Sequence, residues 1–217
     1  MKPDIDYGVY LVTDTRLCGG RDLLDVVREA VLGGVTVVQF REKECGSSEF
    51  IDRAARLKEL LDAHGVPLIV NDRVEEALKI GAHGVHIGQG DMAYADARRL
   101  LGSDAVIGLT VKTLGQVIEA ETWDVDYLGV GPIFQTDTKT DAGESWGMDG
   151  LSRVAGLSRH KIIAIGSMNF ENAGPAIRAG AHGVAVVSAI CAASSPKDAA
   201  RSLRRAVDKA RGRGKRQ

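Results

Sequence analysis

At 217 residues, with 28 basic against 29 acidic side chains and a formal net charge of -1, the chain is long enough to bury most of its apolar surface in one domain without disulfide staples. The balance of charge gives no ground for expecting nucleic acid or a membrane surface as partner, and Cys18, Cys45 and Cys191 lack the CxxC spacing of a metal or redox pair. No apolar h-region follows Lys2, and no run approaches the ~18 apolar residues of a membrane span, so a cytoplasmic location is expected.

The first β-rich apolar run is YGVYLVTD, from Tyr7. DLLDVVREAVLGG follows, with Leu23, Val26, Val27, Ala30 and Val31 on one helical face and glycines at its end. TVVQFREK is the second run. SSEFIDRAARLKELLDAHG repeats the helical pattern through Phe50, Ala54, Leu57, Leu60 and Leu61, with Ser47 placed to cap its start and Gly65 its end. PLIVND, GVHIG, AVIGLT, YLGVGPIF, IIAIGS and GVAVVS come next, again separated by helical patterns. Alternation of strand and helix implies parallel strands with right-handed crossovers. Eight units in about 200 residues predict a single (β/α)8 barrel, here residues 1–208, followed by a basic, frayed tail, 209–217. GAHGVHIG from Gly81 and GAHGVAVVS from Gly180 echo each other as one repeated step from helix end to strand. An open doubly wound sheet fits less well, since no GxGxxG follows the first run.

In such a barrel the chemistry lies at the C-terminal ends of the strands. Alternation puts Gln39, Arg41 and Lys43 on one side of the second run and Val38 and Phe40 on the other. With Val38 and Phe40 against helices, an amide and two cations face the mouth, suited to phosphate oxygens and a polar ring. The competing reading is a surface ion-pair cluster with Glu42 and Glu44. Asn71 and Asp72 close the third run. Asp72 either caps the next helix or binds a hard cation, and the second reading needs another carboxylate nearby. Asp91, just past the fourth run, supplies one, with Gln89 beside it, although it too can cap a helix. Magnesium takes such sparse oxygen sites and completes its shell with water and phosphate.

His86 lies inside the fourth run, and His83 and His182 lie in the echoed turns; all three read as structural. Thr110 and Lys112 end the fifth run, where either can reach a bound group or serve the next turn. Gly129 and Gly131 thin the wall for a ligand to approach backbone. The polar stretch 135–147 reads as a lid carrying Lys139 over the site, and Thr136, Thr138 and Lys139 suit a grip on an anion. Gly166 and Ser167 offer backbone N–H groups after the seventh run, and Ser188 opens the last helix. That is the recurrent phosphate position of these barrels, and small residues there are also ordinary turn chemistry.

In this order, YLVTD, VQFREK, NDR, GVHIGQGD, IGLTV, DYLGVGPIFQTDTK, AIGSMN and GVAVVSAI resemble the thiamine phosphate synthase family from Tyr10 to Ile190. The resemblance implies two small phosphorylated substrates, a pyrimidine pyrophosphate (4-amino-2-methyl-5-hydroxymethylpyrimidine pyrophosphate) and a thiazole phosphate (4-methyl-5-(2-phosphoethyl)thiazole or its carboxylated form). Pyrophosphate leaves first, a pyrimidine-methyl cation forms, and the thiazole nitrogen captures it to give thiamine phosphate. By the same resemblance Asp72 and Asp91 hold one Mg²⁺, and Arg41, Lys43, Asn71 and Lys139 contact the pyrophosphate. Gln39 orients the pyrimidine and Thr110 lies near the reacting methylene. Thr136, Thr138, Ser167, Val187 and Ser188 bind the thiazole phosphate. The catalytic part falls on Arg41, Lys43, Thr110 and Lys139.

One departure stands out. IGSM replaces the family's IGGI, so Ser167 keeps the backbone N–H of a glycine but resists positive φ, which implies an altered thiazole phosphate grip. A tautomerase-like relative and a non-catalytic phosphate sensor are the alternatives on this barrel, and both fit poorly with Asp72, Asp91 and Lys139 being present. An isomerase or aldolase would need a base or Schiff-base lysine inside a strand. The oligomeric state is left open, a homo-oligomer included.

Overall fold

The computed structural model describes residues 2, 4–135 and 144–212; Thr136, Thr138 and Lys139, and residues 213–217, lie outside them. The strands are β1 (Val9–Val12), β2 (Val37–Phe40), β3 (Leu68–Asn71), β4 (Gly84–Ile87), β5 (Val106–Val111), β6 (Tyr127–Val130), β7 (Lys161–Ile165) and β8 (Gly183–Val186). Six lie within the expected runs; β5 ends one residue past AVIGLT, and β7 begins one residue before IIAIGS. The helices are α1 (Leu23–Gly33), α2 (Ser47–Asp62), α3 (Val74–Ile80), α4 (Tyr94–Leu101), α5 (Leu114–Ala120), α6 (Gly147–Leu157), α7 (Phe170–Arg178), α8 (Ser188–Cys191) and α9 (Pro196–Ala210). Every strand pairs in parallel with its sequence neighbours, and β8 returns to β1 with Ala185 opposite Tyr10, so the sheet closes into a (β/α)8 barrel.

Side-chain alternation splits the buried residues into two cores. The outer one lies between strands and helices and contains Val38, Phe40, Phe50 and Leu57. Phe40 and Phe50 rings stand 4.8 Å apart, centroid to centroid, and burying each ring is worth about 1.5–3 kcal/mol. The inner core fills the barrel with Tyr7, Tyr10, Val37, Ile69, Val106, Tyr127 and Ile163. Helix burial follows the sequence pattern: α1 buries Leu23, Val26, Val27 and Ala30, and Asp22 caps it by accepting from Leu24 N.

Several local expectations are corrected. The N-cap of α2 is Gly46; Ser47 is already helical, and its hydroxyl turns to Glu76 at 3.0 Å. Its C-cap is Ala63, with Gly65 left-handed (φ 65°) two residues later. Ser188 does open a helix, but α8 is four residues long and α9 is the last helix among the described residues. The short α8 aligns too few peptide dipoles to supply the field of a long helix. Helix α9 runs to Ala210, two residues past the boundary suggested by composition. Arg211 then pairs with Asp6 at 2.7 Å and also donates to the His182 carbonyl. These contacts tie the end of α9 to the entry of β1, on the face away from the mouth.

The echoed turns share one device. His83 Nδ1 accepts from Leu68 N at 3.2 Å, and His182 Nδ1 accepts from Ile162 N at 3.0 Å. Each imidazole pins its turn to the start of the preceding strand. Burial, followed by nearby cations, lowers both pKa values, in keeping with a bare Nδ1.

Candidate active site

The C-terminal ends of the strands surround a cavity of about 390 Å³. Gln39, Arg41, Asn71, His86 and Thr110 supply its polar wall from β2 to β5. Gly166, Ser167, Val187 and Ser188 form the opposite, small-residue wall after β7 and β8. Eight of the expected residues thus share one cavity. Lys43, Asp72 and Asp91 do not line it; Asp72 directly follows the lining residue Asn71, and Lys43 and Asp91 act on Asp72. Thr136, Thr138 and Lys139 fall outside the described residues.

On the rim, Asp72 and Asp91 face each other. The pKa of Asp72 is pushed up to about 6, first by burial and then by the hydrogen bond and charge of Asp91, against the opposing pull of an Asn71 hydrogen bond and the Lys43 charge. Neither carboxylate caps a helix. The N-caps of α3 and α4 are Arg73 and Ala93, while Asp91 Oδ2 accepts from Gly88 N at 2.7 Å. Two apposed carboxylates, one of them resisting ionisation, are a donor set that a divalent cation would relieve. That fits Mg²⁺, which needs only one or two protein carboxylates when phosphate oxygens complete its shell. Among the described residues no group of three or more His, Cys, Asp or Glu forms a richer cage.

Arg41 is held from two sides. Its N–H donates to Thr13 Oγ1 at 3.0 Å, and its guanidinium stands 3.9 Å from Asp14. The Arg16 hydrogen bond and charge, assisted by Arg41, keep the Asp14 carboxyl below the usual range. The competing reading, an ion-pair cluster of Arg41 and Lys43 with Glu42 and Glu44, is not what forms. Glu42 pairs with Arg53 at 3.3 Å and Glu44 with Arg16 at 3.5 Å, while the Lys43 charge acts on Asp72.

The floor carries a row of linked hydrogen bonds. Gln39 Nε2 donates to Tyr10 Oη at 3.0 Å, Tyr10 Oη and Tyr127 Oη are 2.7 Å apart, and Tyr127 Oη is 3.0 Å from His86 Nδ1. His86 Nε2 is then 2.7 Å from Thr110 Oγ1. Burial raises both phenol pKa values, so these hydroxyls stay protonated. Glycines make the room. A Cβ on Gly108 would stand 2.0 Å from Tyr127 Cζ, and one on Gly129 3.0 Å from His86 Cε1. Gly129 was expected to thin the wall for a ligand; it lines the cavity, and the space it leaves is taken by His86.

Sequence reasoning set His86 aside and passed over Tyr10 and Tyr127. Strand parity was the available signal, since Tyr10, Gln39, His86, Thr110 and Tyr127 all occupy inward positions. Lys112 also lines the cavity.

The strand-seven turn is strained at two successive residues. Gly166 has φ 104° and Ser167 φ 52°. Ser167 is held there by its Oγ donating to the Gln135 carbonyl at 2.5 Å and by Asn172 Nδ2 donating to its own carbonyl at 2.9 Å. Beside that turn, Arg21 donates to the carbonyls of Cys191 and Ala193 at 2.7 and 2.8 Å, joining the first loop to the neighbouring eighth.

Fold and site together define a (β/α)8 barrel whose mouth pairs a cationic, carboxylate-bearing rim with a small-residue turn, the equipment of an enzyme that handles phosphorylated substrates. Residues 9–190 match the thiamine monophosphate synthase family, and the chain belongs to that family. It is 50% identical over 200 residues to a thiamine-phosphate synthase of Albidiferax ferrireducens, covering 92% of this chain and 91% of that one. It is 47% identical to the thiamine-phosphate synthase of Chloroflexus aurantiacus, covering 94% of each. A solved thiamine phosphate pyrophosphorylase from Pyrococcus furiosus superposes with a TM-score of 0.86 at 32% identity, covering 94% of this chain and 97% of that one.

Proposed function

We propose that the protein is a thiamine phosphate synthase that joins the hydroxymethylpyrimidine pyrophosphate to the thiazole phosphate in a dissociative reaction. The observation that carries this reading is the apposition of Asp72 and Asp91 beside the cavity that Gln39, Arg41 and Thr110 line, in a chain of this family. Arg41, Lys43, Asn71 and Lys139 meet the pyrophosphate. Asp72 and Asp91 would hold Mg²⁺, whose contribution is to neutralise charge on the departing group.

As the methylene C–O bond breaks, its electron pair leaves with pyrophosphate, and preplaced cations stabilise that charge most where water is excluded. Gln39 holds the pyrimidine edge while the ring spreads the positive charge of the methylene. Ser167, Val187 and Ser188, with Thr136 and Thr138, fix the thiazole phosphate so that the ring nitrogen forms the new C–N bond. The protein is read as a transferase in thiamine biosynthesis acting on two small molecules, without nucleic acid or membrane. Among the described residues no helix is long and apolar enough to cross a membrane.

The deciding experiment mixes purified protein with both substrates and MgCl₂ and follows thiamine phosphate and pyrophosphate. Stoichiometric formation of both is expected, with loss of turnover in the Asp72→Ala, Asp91→Ala double variant. No product from the parent protein, or full turnover in the double variant, would overturn the reading. Lys139→Ala should lower kcat more than it raises the KM for thiazole phosphate.

A further inference from the structure

We propose that Tyr10, Tyr127 and His86 form a neutral hydrogen-bond relay that ties the edge Gln39 shows to the pyrimidine to the direction of the Thr110 hydroxyl. The inference rests on the preceding reading of the substrate.

Each link forces the next. Tyr10 Oη accepts from Gln39 Nε2 at 3.0 Å, so its own proton goes to Tyr127 Oη, 2.7 Å away. Tyr127 Oη, already accepting, donates to His86 Nδ1 at 3.0 Å. A neutral imidazole with Nδ1 accepting carries its proton on Nε2, and Nε2 donates to Thr110 Oγ1 at 2.7 Å. The Thr110 hydroxyl proton is then turned toward the cavity, where a leaving oxygen gains charge.

The row has one other neutral arrangement, with every bond reversed. In that state the Gln39 amide is flipped, its Oε1 accepts from Tyr10, His86 carries its proton on Nδ1, and Thr110 donates to His86 instead of to the cavity. The two amide orientations present opposite edges. In the first, Nε2–H and Oε1 match a pyrimidine with a bare ring nitrogen beside an exocyclic amine. In the second they match a ring N–H beside an oxo group. An aminopyrimidine therefore selects the state in which Thr110 offers its proton to the leaving group, and an oxopyrimidine selects the state in which it does not. Tyr10, Tyr127 and His86 act as positioning residues. Both phenols are at most 1% exposed, so bulk water does not randomise the direction.

Two measurements test this. In the parent protein bound to a non-hydrolysable aminopyrimidine pyrophosphate analogue, ¹⁵N spectroscopy of the His86 ring should show protonated Nε2 and bare Nδ1. An Nδ1–H tautomer or an imidazolium would overturn the relay. In Tyr10→Phe and Tyr127→Phe, which keep the rings, the kcat/KM preference for the amino over the oxo substrate should fall on the order of tenfold, with the KM for thiazole phosphate unchanged. An unaltered preference in folded, active variants would overturn it as well. A parent protein that makes no thiamine phosphate overturns the substrate reading instead, and the ring tautomer still decides the direction of the bonds.

Discussion

Tyr127 occupies the space that Gly108 leaves open: a methyl on Gly108 would stand 2.0 Å from the Tyr127 ring carbon Cζ. β5 and β6 pair Gly108 directly with Tyr127, and the ring lies over its glycine neighbour. Gly108→Ala should therefore displace the ring and cost at least about 2 kcal/mol through overpacking, seen as a lower urea midpoint. A variant as stable as the parent would show that the inner core yields at this point.

Asp72 trades stability for its position on the rim. It is an acid whose folded-state pKa is raised from 3.8 to about 6, so the folded protein binds that proton more tightly than the unfolded chain. Stability from this group is greatest below pH 3.8 and is lost as pH rises through about 6. Asp72→Asn removes the repulsion and suits φ 61°, a region that asparagine tolerates. It should stabilise the fold at pH 7.5 in chelator by on the order of 1 kcal/mol after solvent screening, seen as a higher melting temperature, with no gain at pH 3.5. Magnesium-dependent turnover should be lost. An unchanged or lower melt at pH 7.5 would show that the carboxylates do not oppose each other.

The paired histidines act in the opposite sense. Burial, followed by Lys58 at His83 and by Lys161 and Arg211 at His182, depresses their pKa values below 6.5. The unfolded chain then binds protons first, so stability is present above pH 6.5 and is lost as pH falls through the folded values. His83→Asn with His182→Asn keeps an acceptor near each strand amide but does not titrate. Urea midpoints should fall less steeply in this double variant than in the parent between pH 7 and pH 5.5. Parallel curves would remove the histidines from the account.

Ser167 pays for its left-handed backbone, φ 52°. Ser167→Gly keeps the N–H and relaxes the turn, so the KM for thiazole phosphate should change little. Ser167→Val puts a β-branched side chain in that region, at about 1–2 kcal/mol, and should raise the same KM several-fold. Steady-state kinetics distinguish the two; equal effects would mean that the backbone of this turn does not hold the phosphate.

The barrel was legible because eight apolar runs alternate with helical patterns at regular spacing, and nothing in the chain contradicts that rhythm. Gln39, Arg41, Asn71 and Thr110 were legible at the cavity because polar residues interrupt those runs at their C-terminal ends. The partnership of Tyr10 with Tyr127 was not, since the two hydroxyls meet across 117 residues of chain, and a tyrosine in a strand looks the same whether it packs or donates. His86 was undervalued for a related reason: its partners Thr110 and Tyr127 lie 24 and 41 residues along the chain and meet it only once β4, β5 and β6 are side by side. The start of α2 was misplaced by one residue because Glu76 on α3 draws the Ser47 hydroxyl away from the helix end.

Arg211 and Asp6 meet on the face opposite the mouth, while β8 and β1 are joined by the same ladder that joins every other pair of strands. The ring therefore has no privileged first strand. A covalent link across this junction, with new termini opened in an exposed turn on the same lower face, would give a rearranged chain order that leaves the substrate cavity untouched.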